Sequence, residues 1–149
     1  MIEIRESSPS DYREIAQIWF AASILAHPFI EQNLLEDVAK KLVYEHLPKT
    51  KTFVAIYNNT IVGFISTIND YIAGLFVHPD YQGRGIGKSL LSHIIPNHLE
   101  LTLHVFKKNI KTHIFYKKFG FVEIADCVHE ETGEIQIEMK LVNKTENFQ

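Results

Sequence analysis

The chain has 149 residues, enough for one sizeable core and too few for two ordinary domains. With 46% hydrophobic and 22% charged residues it reads as globular, and a formal charge of −3 argues against a nucleic-acid binder, whose footprint is a basic excess. No apolar run reaches membrane-spanning length, and the opening MIEIRESSPSDY lacks the apolar centre of a signal peptide. One cysteine, Cys127, excludes an internal disulfide and fits a reducing, cytoplasmic setting; it is expected to be a buried small hydrophobe. The histidines are scattered without metal-ligand spacing, so no metal is expected.

In chain order, IEIRE (residues 2–6) alternates as a short strand does. Ser8, Pro9 and Asp11 then announce a helix start, with Tyr12, Ile15, Ala16, Trp19 and Ala22 on one face. Pro28 breaks the pattern. A second helix carries Leu34, Leu35, Val38 and Leu42 and stops near Pro48. TFVAIY-NN-TIVGFISTI predicts a hairpin, because asparagine tolerates the positive φ of tight turns, and YIAGLFV adds a third strand. The turn DYQGRGIGKSLL leads into a helix with Ile86, Leu90, Leu91, Ile94 and Ile95 as its apolar face. LELTLHVF is a further strand, and NIKTHIFYKKFG a helix closed by Gly120. FVEIADCVH and EIQIEMKLV form a last hairpin. The expectation is a single α/β domain over residues 1–142, about four helices on a mixed, mainly antiparallel sheet, with residues 143–149 as a mobile tail.

The glycine-rich turn has the outline of an anion site, since glycines let backbone N–H groups converge and the following helix adds its unpaired N–H groups and dipole. Spacing separates the families that build such sites. A P-loop requires a glycine where Gln82 stands, and a dinucleotide fingerprint requires one at Lys88 or Leu90. What remains is Q-x-x-G-x-G, at Gln82, Gly85 and Gly87, joined downstream by N-x-x-x-x-x-F-Y-x-x-x-G-F at Asn109, Phe115, Tyr116, Gly120 and Phe121.

These motifs, in this order and spacing over nearly the whole chain, resemble the GNAT superfamily of acetyl-coenzyme A-dependent N-acetyltransferases, in its small single-domain bacterial branch of YjaB and YiaC type. The resemblance implies a splayed pair of central strands, here Tyr71–Val77 and Leu99–Phe106, with the acetyl-pantetheine arm in the notch. It implies that backbone groups of Leu75, Phe76 and Val77 meet the pantetheine and the thioester carbonyl. A free N–H there is the kind of donor that holds a developing oxyanion. Gln82 belongs to the same motif, and Gly83, Arg84, Gly85, Ile86, Gly87 and Lys88 would cradle the pyrophosphate. For Arg84 and Lys88 solvated surface charge is the competing account.

By the same resemblance Asn109 contacts the pantetheine arm, although a helix cap would also explain it. Phe115 packs against the coenzyme or the core. Tyr116 corresponds to the tyrosine near the coenzyme sulfur; a phenol of pKa ~10 can protonate a leaving thiolate of pKa ~8.5. Relatives often carry glutamate in L-E-V on the strand before the asparagine, where this chain has LHV with His104. An imidazole can take a proton from the amine at neutral pH, so His104 is the candidate base; the alternative is a strand histidine without catalytic duty. Asp70, His78, Glu31 and a water chain are further candidates. Acceptor contacts are expected around His27, Phe29 and Glu31 and in the last hairpin. KKNIK and Lys117 and Lys118 either meet the remaining phosphate or are solvated.

The function implied is direct acetyl transfer from acetyl-CoA to a primary amine, on a small molecule or a protein, by a monomer or homodimer with no nucleic-acid or membrane partner. The contrasting reading is a non-catalytic acyl-CoA-binding module of the same fold.

Overall fold

The computed structural model describes residues 1–143, so the expected tail lies outside the described residues except for Asn143. Asn143 is tied down: its side-chain amide donates to the carbonyls of Ile95 and His98, each at 3.1 Å, and its N–H to that of Leu99 at 2.8 Å. Chain contacts divide into two compact units, Met1–Ile94 and a second that begins at Ile95.

In the first unit four antiparallel strands lie in the order β1 (Glu3–Glu6), β2 (Lys51–Tyr57), β3 (Thr60–Ile68) and β4 (Tyr71–Val77). Asn58 and Asn59 take φ of 50° and 61°, the left-handed pair that lets a two-residue turn follow the strand twist. Entry to α1 (Tyr12–Ala26) is fixed by Asp11, whose carboxylate accepts the Ser8 N–H at 2.8 Å and both Arg5 guanidinium nitrogens at 2.8 and 3.1 Å. The sequence-derived stripe holds: Ile15, Ala16 and Ala22 are buried, and Ile15 and Ile18 pack with Leu47, Val54, Ile61 and Phe64. Trp19 is only partly buried, meeting Phe76 edge-on at 6.2 Å. α2 (Gln32–Lys41) buries Leu35, then loosens into a π turn over Leu42–His46 and a tight turn containing Pro48, which supplies no N–H to continue the helix.

α3 (Ile86–Ile94) rests on this sheet through Ile86, Leu90, Leu91 and Ile94. Its close approach depends on Gly63, where an added Cβ would lie 3.0 Å from the Phe76 carbonyl oxygen and 3.3 Å from both Ile86 and Leu90. β4 also carries a bulge, since Ser66 pairs with Gly74 and Thr67 with Ile72, leaving Ala73 as the extra residue.

In the second unit β5 (Glu100–Phe106), β7 (Ile135–Val142) and β6 (Val122–Val128) pair antiparallel with β7 in the middle. α4 (Ile110–Phe119) ends at Gly120, whose φ of 113° suits a residue without Cβ. Leu101, Leu103, Val105, Tyr116, Phe121, Ile137 and Met139 form the buried side. Cys127 departs from expectation. It is exposed, because every residue of the edge strand β6 is exposed.

Candidate active site

Ten of the expected coenzyme residues belong to the first unit, and seven of them, Gln82 to Lys88, are consecutive in one turn. β4 delivers Leu75, Phe76 and Val77, paired with Ile65, Phe64 and Gly63. Gly74 leaves room for the Phe76 ring, which would stand 3.0 Å from an added Cβ. The chain then turns at Pro79–Tyr81, where the His78 Nδ1 accepts the Asp80 N–H at 3.1 Å. That ring nitrogen caps a turn, which weakens His78 as a base.

Gln82 is exposed, yet its side chain is engaged with the main chain. Its Nε2 donates to the Val77 carbonyl at 3.0 Å, fastening the start of the loop to the end of β4. Gly83 and Gly85 follow with φ of 79° and 80°, and neither has an atom within 4 Å of where a Cβ would stand. Alternating left-handed residues turn successive N–H groups toward one side, which is the geometry of an anion nest. Gly85 then opens α3, its carbonyl accepting both the N–H and the hydroxyl of Ser89 at 3.0 Å. No acidic residue occupies the first turn of α3, so nothing there neutralises the positive end of its dipole. Ile86 is buried beneath the helix, while Lys88 is exposed. Arg84 lies over the Tyr81 ring, 5.2 Å from its centroid, so part of its solvation is already replaced by a π face. Open cradle, free helix end and two cations fit a phosphate group.

The other four expected residues belong to the second unit. Asn109 is buried and its side-chain oxygen accepts the Thr112 N–H at 3.4 Å, so it caps α4. That cap sets where α4 begins, and therefore where Phe115 and Tyr116 stand. Tyr116 is 6% exposed, its ring edge-on to Phe115 at 5.2 Å and to Phe121 at 5.3 Å. His104 is half-buried on β5, directly across from Glu138 of β7.

Among the weaker candidates, Glu31 is exposed at the start of α2 and Asp70 is exposed in the turn before β4. His27 ends α1 with its ring 5.7 Å from Phe29, and burial holds its pKa below the ordinary histidine value. Lys107 lies 3.4 Å from Asp126, Lys108 3.1 Å from Glu134 and Lys117 3.9 Å from Glu123, so these lysines have carboxylate partners of their own.

Two features escaped the sequence reading. The Ala73 bulge was signalled by the small pair Ala73–Gly74 inside an apolar strand. Glu138 had no such signal, because its neighbour is chosen by strand register.

The sequence profile of the acetyltransferase (GNAT) domain matches residues 48–123. The peptidyl-lysine N-acetyltransferase YiaC of Escherichia coli is 30% identical over 133 residues, covering 89% of this chain and 90% of YiaC. The peptidyl-lysine N-acetyltransferase YjaB of Salmonella typhimurium is 33% identical over 122 residues, covering 81% of this chain and 83% of YjaB. The solution structure of apo YjaB from Escherichia coli superposes with a TM-score of 0.83 at 26% identity, covering 94% of this chain and 97% of that one. An N-acetyltransferase, PaiA of Thermoplasma acidophilum, solved with coenzyme A, shares the fold at a TM-score of 0.78 and 23% identity, over 95% of this chain and 99% of that one. The chain therefore belongs to the GNAT family, as an acetyl-CoA-dependent N-acetyltransferase of the YjaB and YiaC type.

Proposed function

We propose that the protein acetylates the ε-amino group of lysine side chains in other proteins. The observation that carries this acceptor is that two relatives named peptidyl-lysine N-acetyltransferases each align with more than four-fifths of the chain. The site geometry supports the coenzyme half of the reading. Gly83, Arg84, Gly85, Ile86, Gly87 and Lys88 would hold the pyrophosphate through main-chain N–H groups and the start of α3. Backbone groups of Leu75, Phe76 and Val77 would meet the pantetheine arm, Asn109 and Phe115 would contact the coenzyme by the family resemblance, and Gln82 ties the loop to the end of β4.

Bound acetyl-CoA supplies an activated thioester. His104 would take the proton that the lysine ammonium must lose before its lone pair can attack the acetyl carbon; the new C–N bond then forms, the nitrogen gives its second proton to water, and the C–S bond breaks. Tyr116 would give its phenolic proton to the departing thiolate and regain one from solvent. The proton on His104 returns to water, so the balance closes without a covalent enzyme intermediate.

Incubation with acetyl-CoA and a panel of amines, following thiol release, tests this. The expected result is turnover on a peptide with one free lysine, and acetyl on that lysine by mass spectrometry. Turnover confined to polyamines, aminoglycosides or amino acids overturns the acceptor. Tight acetyl-CoA binding without turnover on any amine points to the non-catalytic module.

A further inference from the structure

β5 and β7 are in register Thr102 to Lys140, His104 to Glu138 and Phe106 to Gln136. Residues directly opposite in an antiparallel pair share a sheet face, with Cβ atoms about 4.5–5.5 Å apart. Leu101, Leu103, Val105, Ile137 and Met139 alternate with them and are buried, so His104 and Glu138 stand together on the less covered side. Both are half-buried, which weakens competition from water for a hydrogen bond between them.

Glu138 sits on the middle strand and has a cross-strand neighbour on each side. On β6 that neighbour is Ala125, which offers no donor; on β5 it is His104. The cation next along the same face, Lys140, is drawn the other way, its Nζ lying 3.0 Å from the Glu100 carboxylate. His104 of β5 and Glu138 of β7 are thus direct cross-strand neighbours, while the ammonium of Lys140 is engaged with Glu100.

We propose that Glu138 is a positioning residue for His104. Its carboxylate accepts the N–H of one ring nitrogen and so keeps the other nitrogen bare to receive a proton. When that proton arrives, Glu138 stabilises the imidazolium without taking the proton itself. The family position that often carries a glutamate holds His104 here, and a glutamate stands one strand away. This rests on the reading of His104 as the base.

The test has two arms. Ring ¹⁵N shifts of His104, assigned by the signal lost in His104→Asn, report its tautomer in the protein alone. The expected spectrum shows one tautomer in the wild type and a mixture in Glu138→Gln. In the second arm, acetylation of a lysine peptide is compared for His104→Ala, Glu138→Gln and the double variant. Glu138→Gln should lower kcat about 10-fold or more with acetyl-CoA affinity unchanged, Glu138→Asp should recover part, and the loss should vanish in the His104→Ala background. An unchanged ¹⁵N spectrum, a purely KM effect, or the same factor in both backgrounds overturns the role of Glu138 while leaving His104 as base. Wild-type kcat in His104→Ala overturns both.

Discussion

The side chain of Gln82 and the main-chain carbonyl of Val77 are joined by a 3.0 Å hydrogen bond that ties the glycine-rich loop to the strand before it. Removing it in Gln82→Ala leaves the loop's start unanchored. One hydrogen bond contributes about 1 kcal/mol, so acetyl-CoA affinity measured by calorimetry should fall about five-fold. Unchanged affinity would show that the loop holds its shape without this bond.

Gly85 and Gly87 should respond unequally. Gly85 has φ of 80°, so Gly85→Val both strains the backbone and places a side chain in the open cradle. Gly87 lies inside α3 and is not among the positive-φ glycines, so Gly87→Val can act only by crowding. The acetyl-CoA dissociation constant should rise at least ~10-fold for Gly85→Val and less for Gly87→Val, with circular dichroism confirming the fold.

Tyr116→Phe keeps the ring that packs on Phe115 and Phe121 and removes only the hydroxyl. Acetyl-CoA binding should hold, while kcat drops about 10²-fold, as for other general acids. A wild-type kcat would leave Tyr116 a packing residue.

Asp11 ties β1 to the start of α1, and its hydrogen bonds with Arg5 hold its carboxyl below the usual range. A depressed carboxyl stabilises the fold above the unfolded value near ~3.9, and that contribution is lost as pH falls through the folded value. Asp11→Asn should cost about 1 kcal/mol in urea unfolding at neutral pH, and the gap to wild type should close in acid.

His27 gives a second pH signature near neutrality. Burial lowers its pKa, so the unfolded chain takes up the proton first. Stability is therefore full above about pH 6.5 and is lost on acidification toward the folded value. Between about pH 7.5 and about pH 5.5 the urea midpoint of wild type should fall more than that of His27→Gln. Parallel losses would assign the slope to other groups.

Local chemistry made much of this readable beforehand. The Asn58–Asn59 turn, the Gly120 stop and the Asn109 cap each depend on a residue and its immediate neighbours, and all appear where the sequence placed them. The loop was legible because glycine spacing and a helix start are also local. Cys127 was misjudged because burial of a strand residue depends on whether its strand lies at an edge, which no single strand reveals. Glu138 was invisible for a related reason: His104 and Glu138 are far apart in sequence, and only register brings them opposite one another (about one strand spacing apart). The partner of Gln82 was missed because a motif names a residue type and not the atom its side chain seeks.

β6 closes one side of its sheet with Val122, Ile124 and Val128 exposed, a combination that invites a strand from another molecule. The edge is defended from within the chain. Register slips between Glu123 and Ala125, so Ile124 is an extra residue that bends and over-twists the strand. Glu123 and Asp126, held near Lys117 and Lys107, set charge along the same border. An incoming strand would meet a kink and two carboxylates before it could bury a valine, so smoothing the kink by deleting Ile124 should turn a dispersed protein into one that precipitates as its concentration rises.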